Sequence, residues 1–148
     1  MNKIVRLTIL PILLMLLAGS TNAFSQCKGF AKNICKDELG NFTHDGNYHA
    51  AILTEGEEAE LYKTFYSDQE YRVAICGSDN LPPIEFKIMD ASKNVIYSNA
   101  DSGYERIWDF KLESSQQLKL VLKVNTFEQV SDTPSSGCVA IMFGFKIK

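Results

Sequence analysis

The feature that most constrains the fold of this chain is a period-two alternation of apolar and polar residues, which recurs from about residue 47 onward. In QLKLVLKV, residues 117–124, every second side chain from Leu118 to Val124 is aliphatic. Successive side chains of a β-strand point to opposite faces, so this pattern predicts strands that each bury one face.

Eight segments carry the alternation, separated by Gly, Pro, Asn, Asp and Ser residues that are typical of turns. We therefore predict an all-β fold, an antiparallel β-sandwich of the jelly-roll kind with about eight strands; a closed barrel is the alternative. The clear segments are IEFKIMD, IWDFKL, QLKLVLKV and CVAIMFGFKIK, and the weaker ones are NYHAAIL, AELYKTFY, YRVAIC and NVIYS.

A different pattern precedes the strands. In CKGFAKNICKDEL, residues 27–39, apolar residues recur at helical spacing, which predicts a short amphipathic helix or helical turn. Cys27, Phe30, Ile34 and Leu39 would share its buried face.

The N-terminus has the layout of a secretory signal peptide, with Lys3 and Arg6 followed by a short apolar run and small residues up to Ala23. The run is shorter than the roughly 20 residues that a membrane-spanning helix needs. We predict a signal peptide over residues 1–23, with cleavage after Ser25 as an alternative, and one β-sandwich domain over 24–148. The protein would then be exported, periplasmic or extracellular, in a bacterial setting, with no transmembrane segment left.

Charge limits the classes of partner. Without residues 1–23 the chain keeps 13 Lys and Arg residues against 18 Asp and Glu residues. An acidic balance argues against nucleic acid and against an anionic membrane surface as partners.

Four cysteines follow the predicted signal peptide, and an even number in an exported protein predicts two disulfides. Cys76 and Cys138 each oppose the apolar face of their strand, so we predict a cross-strand Cys76–Cys138 bond, with Cys27–Cys35 as the second. The second pair requires a break in the helix, because eight helical positions separate the two cysteines by about 12 Å. A zinc site is the alternative for the four thiols, but CxxC pairs are absent from the sequence.

Acidic residues in turns are candidate calcium ligands. We favour a solvated turn that marks a hairpin for the EGEE run, and turn-forming roles for the acids and the amide of the later loops. These candidates are Glu55, Glu57, Glu58 and Glu60 in the first group and Asp79, Asn80, Asp101 and Asp132 in the second.

Exposed tyrosines would indicate a carbohydrate-binding face, because flat rings stack on sugar rings. Trp108 shares an apolar face with Phe110 and Leu112, so we predict that it belongs to the core. The long loop 125–137 is our first candidate for a contact region. For most of the tyrosines in question we favour cross-strand packing; they are Tyr48, Tyr62, Tyr66, Tyr97 and Tyr104.

Catalysis would need a base, and His44 and His49 are the only histidines. Neither lies in a catalytic motif and GxSxG is absent from the sequence. We predict no catalytic residues, no metal site and no cofactor.

Between residues 71 and 124 the order of features resembles the bacterial pre-peptidase C-terminal family of sandwich domains. A strand led by Tyr71, a strand ending at Asp90, a Val95-Ile96-Tyr97 strand and then Trp108-Asp109-Phe110 precede a long aliphatic strand. The layout also looks like that of small uncharacterised exported proteins of Bacteroidetes. The resemblance implies a noncatalytic module that binds insoluble substrates or assists folding and secretion; the four cysteines depart from the family's usual pattern.

Three hypotheses for function follow. The first is a noncatalytic exported module that binds a glycan, a peptide or another envelope protein through its loops or an outer sheet face. The second is a structural or assembly component of a cell-envelope complex that uses an exposed sheet edge. The third hypothesis, a small secreted enzyme, is the one that we favour least.

Overall fold

The computed structural model describes residues 22–129 and 132–147. The predicted signal peptide lies outside these residues, apart from positions 22 and 23, and it stays a prediction. None of the described helices is both long and apolar enough to cross a membrane.

The described chain begins with an α-helix, α1 (Asn22–Asn33), and a 3-10 helix, η1 (Cys35–Leu39). A second 3-10 helix, η2, spans Asn99–Ser102. All the other regular elements are strands. They are β1 (Thr43–His44), β2 (His49–Thr54), β3 (Glu58–Phe65), β4 (Glu70–Gly77), β5 (Ile84–Met89), β6 (Val95–Ser98), β7 (Ile107–Lys111), β8 (Gln116–Val124) and β9 (Ser136–Phe145).

The strands form two antiparallel sheets. Sheet 1 has the order β1-β9-β4-β7, with β2 also paired to β9, and sheet 2 has the order β3-β8-β5-β6. Because β1 and β2 pair with successive stretches of β9, they occupy one edge position between them. If β1 and β2 are counted as one strand, the sandwich has eight strands. In that count the first strand pairs with the eighth, the second with the seventh, the third with the sixth and the fourth with the fifth. This is a jelly roll, and the predicted sandwich of about eight strands is confirmed.

The core between the sheets is built from the alternating residues that the sequence identifies. Leu118, Leu120, Leu122 and Val124 of β8 are buried, whereas the residues between them are not. Trp108 is half-buried and packs against this core, with its ring stacked on Tyr97 and on Phe110.

A second apolar layer covers the outer face of sheet 1. There α1 and η1 lie over β4 and β9, so these two strands are buried on both faces. Ile34 was predicted to share the buried face of the helix, but it is exposed, because α1 ends at Asn33 and the chain turns there. The residues of this layer are Ala31, Cys35, Leu39, Phe42, Ala74, Cys76, Ala140 and Met142.

The predicted disulfide pairing is wrong. Cys27 is bonded to Cys138 and Cys35 to Cys76, with Cα separations of 5.2 and 5.7 Å. Cys76 and Cys138 do point to the outer face of sheet 1, as predicted, but α1 and η1 cover that face and supply each of them with its own partner. In the β4–β9 register Cys76 lies opposite Ala140, two positions from Cys138. The two disulfides therefore attach the helical layer to the sheet.

Candidate binding groove at the loop end

One end of the sandwich gathers the connections 55–57, 78–83 and 99–106 and the described parts of the last connection, 125–129 and 132–135, because alternate turns of an antiparallel chain lie at the same end. Hydrogen bonds join them: the amide of Glu55 donates to the carbonyl of Ser135 at 3.0 Å, and the side chain of Asn80 donates to the carbonyl of Ser136 at 2.8 Å. We call this region the loop end. A groove of about 560 Å³, the loop-end groove, lies here and is lined by Gly56, Pro82, Pro83, Tyr104, Lys123, Asn125, Thr126, Phe127 and Glu128.

Two aromatic rings are exposed in this groove. Tyr104 is 38% exposed and Phe127 is 45% exposed. Tyr104 has a φ of 61° and follows Gly103, whose φ is 69°. A bulky residue in the left-handed region is strained, and such strain is retained where the surrounding structure fixes it. The fold therefore presents this ring to solvent on a turn of defined shape.

Asn99 fixes that turn from beneath. Its side chain is completely buried; it accepts a hydrogen bond from the amide of Phe86 at 2.8 Å and donates to the carbonyls of Ile84 and Glu105 at 2.9 and 3.1 Å. Its own carbonyl accepts from the amide of Tyr104 at 2.9 Å. A buried amide with all its partners in place holds the loop against β5.

Glu55 fixes the opposite wall. Its carboxylate accepts hydrogen bonds from the amide of Ser135 at 2.7 Å and from the amide of Phe127 at 3.0 Å. These backbone bonds, first that from Ser135, hold the pKa of Glu55 below its ordinary value. The EGEE run forms a turn, as predicted, but the predicted hairpin is wrong, because β2 and β3 belong to different sheets.

The other acidic residues that were candidate calcium ligands do not form one cluster. Glu58 and Glu60 of β3 form ion pairs with Lys123 and Lys119 of β8, at 3.9 and 2.6 Å. Asp79, Asp101 and Asp132 lie in the loops of the loop end. Among the described residues there is no group of three or more His, Cys, Asp or Glu side chains placed to hold a metal ion.

The candidate tyrosines do not form one platform. Tyr62 lies on β3 and Tyr66 directly after it, and both are exposed. Tyr97 is stacked on Trp108. The ring of Tyr48 lies beside that of His44, with the two ring centroids 4.6 Å apart. Of the five, only Tyr104 lines the loop-end groove.

Both histidines lie where the edge strands of the two sheets face each other, away from the loop end. His49 lines a mostly apolar pocket of about 310 Å³ between β2 and β3, and burial lowers its pKa. Nearby, Asp45 and Lys63 form an ion pair at 2.7 Å. Burial is the largest single influence on the pKa of Asp45 and acts to raise it, but the hydrogen bonds from Lys63 and Asn47 and the charges of Lys63 and His44 together outweigh it, so the net shift is downward. The described lining of the His49 pocket includes no serine, and all four cysteines are in disulfides.

The longest strand at a free sheet edge in the described chain is β3, with eight residues. Its outer face carries Glu58 and Glu60, and Lys63 lies further along the strand. Charged side chains on an edge strand discourage pairing with another chain.

Comparisons with known proteins identify no family. No protein-family model matches the chain, and no curated protein matches it at a significant level. The resemblance to pre-peptidase C-terminal domains therefore stays a prediction.

Two of the similar solved structures are β proteins. The periplasmic inhibitor of g-type lysozyme PliG from Aeromonas hydrophila is 13% identical, with a TM-score of 0.49, over 72% of this chain and 89% of that chain. A de novo designed double-stranded β-helix is 16% identical, with a TM-score of 0.31, over 68% of this chain and 99% of that chain.

Proposed function

We propose that this chain is an exported, noncatalytic binding protein that acts in the periplasm or the extracellular space and contacts a partner protein through the loop-end groove. In this proposal residues 24–148 act as one domain. Two disulfides support an oxidising compartment, since such bonds persist there and are rare in the cytosol.

The observation that carries the proposal is the pair of exposed rings, Tyr104 and Phe127, in a groove whose two walls are held by Asn99 and Glu55. Aromatic side chains are enriched at the centres of protein interfaces, where they supply much of the binding energy. A contact surface that is already ordered loses less conformational entropy on binding. The described lining contains no histidine or cysteine, which favours binding over nucleophilic catalysis.

A glycan is the second candidate partner, and one observation favours it. Asn125 and Thr126 line the same groove as the two rings, so hydroxyl-binding groups stand beside stacking surfaces. Assembly through a sheet edge is less favoured, because the long edge strand β3 carries charged residues.

Site-specific photo-crosslinking in the organism that encodes the protein tests the proposal. Phe127 is replaced by p-benzoylphenylalanine in one strain, and Tyr62, equally aromatic and exposed but on β3, is replaced in a control strain. We expect one discrete protein adduct from position 127 and none from position 62. After purification of that protein, Tyr104→Ala should weaken its binding at least tenfold and Tyr62→Ala should not.

Equal adducts from both positions, or unchanged binding by Tyr104→Ala, would overturn the proposal. The glycan candidate is tested by a glycan array with the oxidised protein. Sugar binding that Tyr104→Ala abolishes, together with no protein adduct, would replace the protein partner by a glycan.

A further inference from the structure

The loop end carries many more carboxylates than cations. The four connections of the loop end carry seven carboxylates and one cation, Arg106. The carboxylates are Glu55, Glu57, Asp79, Asp101, Glu105, Glu128 and Asp132.

On the described strands every carboxylate has a salt-bridge partner. Asp109 holds Arg72 through two hydrogen bonds of 2.7 and 2.8 Å. Further ion pairs on the described surface join Asp45 to Lys63, Glu60 to Lys119, Glu70 to Lys146 and Glu85 to Lys87.

Outside the strands the matching is incomplete, and in the described chain the loop end holds the largest group of carboxylates without a salt-bridge partner. Among the described residues Asp79, Glu105 and Glu128 have no salt-bridge partner within 4.0 Å. Lys123 of the groove lining and Arg106 of the 99–106 connection are already paired, Arg106 with Glu38 at 3.1 Å and Lys123 with Glu58 at 3.9 Å. A surplus of negative charge is therefore left beside the groove.

The surplus is adjacent to the two exposed rings. Glu105 follows Tyr104 in the chain, and Glu128 follows Phe127 and lines the same groove. Charges of one sign on a surface repel each other, and an interface with opposite charge removes this repulsion and accelerates association. An aromatic centre inside a polar rim is the usual arrangement of a protein interface.

We infer that the partner which docks at the loop-end groove presents a basic protein surface, rich in Lys and Arg, whose cations meet Glu105, Glu128 and their acidic neighbours. This inference rests on the proposed function and adds the chemical class of the partner. Affinity should depend strongly on salt, because exposed charges are screened over about 10 Å at 0.1 M ionic strength.

Three labelled dodecapeptides test the inference. They share one sequence, except that four positions carry Arg, Gln or Glu. Each is titrated into the oxidised, ¹⁵N-labelled protein and followed by amide chemical shifts and fluorescence anisotropy. We expect the Arg peptide to perturb amides of residues 101–106 and 126–128 and to bind at least tenfold more tightly than the Gln peptide. Raising NaCl from 50 to 200 mM should weaken its binding at least fivefold.

Two variants with the same net charge locate the effect. The triple variant Asp79→Asn, Glu105→Gln, Glu128→Gln removes three carboxylates that have no salt-bridge partner at the loop end. The control Glu60→Gln, Glu70→Gln, Glu85→Gln removes three that are paired elsewhere on the surface. We expect the first variant to bind the Arg peptide no better than the Gln peptide, and the control to retain the preference for Arg.

Equal loss of affinity in both variants would overturn the inference, because net charge alone would then explain binding. If all three peptides perturb the loop end equally, the basic partner is wrong and the binding groove stands. If none of them perturbs the loop end, both the inference and the proposed function are overturned.

Discussion

The carboxylate of Glu55 accepts a hydrogen bond of 3.0 Å from the backbone amide of Phe127, which lies 72 positions later in the sequence. Its other oxygen accepts the amide of Ser135 at 2.7 Å, so one side chain in the β2–β3 turn holds both ends of the long loop between β8 and β9. The exposed ring of Phe127 thus depends on a residue in a distant turn.

Glu55→Ala removes both acceptors. We expect the amides of Phe127 and Ser135 to lose their protection from hydrogen exchange, while amides of β8 keep theirs, because the bonds that are lost lie only in the loop. Exchange measured by NMR at neutral pH gives the result. Glu58→Ala is the matched control, since Glu58 pairs with a lysine side chain at 3.9 Å rather than with the loop backbone; similar exchange in both variants would contradict this role of Glu55.

The ionisation of Glu55 gives a separate prediction. Its pKa in the folded protein is lowered from the ordinary value of 4.5, chiefly by the hydrogen bonds from Ser135 and Phe127. A lowered pKa means that the unfolded chain takes up the proton first, so the contribution to stability is present above pH 4.5 and is lost as the pH falls through the folded pKa. We expect the amide proton shifts of Phe127 and Ser135 to titrate together with a midpoint below 4.5. A midpoint at or above that value would contradict the two hydrogen bonds.

Removal of the buried amide of Asn99 should destabilise the whole domain. Asn99→Ala leaves the amide of Phe86 and the carbonyls of Ile84 and Glu105 without their side-chain partner. A buried unsatisfied polar group costs about 1–3 kcal/mol, so we expect the free energy of unfolding in urea to fall by about 3 kcal/mol. Asn80→Ala, which removes a single exposed bond to Ser136, should cost less than about 1 kcal/mol. Equal losses for the two variants would mean that Asn99 does not hold the loop.

Asn99 and Glu55 mark the limit of what the sequence could predict. Period-two alternation identifies strands and their buried faces because each strand packs one face against the opposite sheet, and this local pattern was sufficient for the sandwich. Tyr104 and the loop that contains Phe127 were candidates because exposed aromatic residues and long polar loops are local features. The roles of Asn99 and Glu55 depend on hydrogen bonds to distant backbone, and no local pattern records such partners.

The disulfides also depend on distant partners that a local sequence pattern does not identify. Alternation correctly placed Cys76 and Cys138 on the outer face of sheet 1. It could not show that α1 and η1 cover this face. The alternation pattern in the sequence of β4 is the same whether the second face of the strand contacts solvent, a helix or a neighbouring thiol.

The pairing can be tested with single variants. In Cys76→Ala the structure leaves one free thiol, at Cys35, whereas the cross-strand pairing would leave it at Cys138. Alkylation of the denatured, unreduced variant followed by peptide mass mapping distinguishes the two, and we expect the label on Cys35. The double variant Cys35→Ala, Cys76→Ala should lose about 4 kcal/mol of stability on the chain-entropy model for a loop of this length. A label on Cys138 would refute the pairing.

The contact of Gly144 with the helical layer gives the last prediction. A Cβ atom added at Gly144 would lie 2.7 Å from the Cβ of Phe42 and 3.2 Å from the Cδ2 of Leu39. Phe42 cannot easily move aside, because its ring lies against the guanidinium of Arg72 at 4.5 Å and the ammonium of Lys146 at 4.9 Å. We therefore expect Gly144→Ala to lower the free energy of unfolding by about 1–3 kcal/mol, the usual cost of overpacking.

Gly29→Ala is the matched control for this substitution. Gly29 lies inside α1, where an added Cβ would meet no atom within 4 Å apart from the adjoining backbone of its own helix, so the change is sterically free there. Alanine is favoured over glycine in a helix by about 1 kcal/mol, and we expect this variant to be more stable than the parent. Urea denaturation of both variants measures the difference. If Gly144→Ala were as stable as Gly29→Ala, the helical layer would not be packed on β9 as closely as the structure has it, and the attachment of that layer would rest on the two disulfides alone.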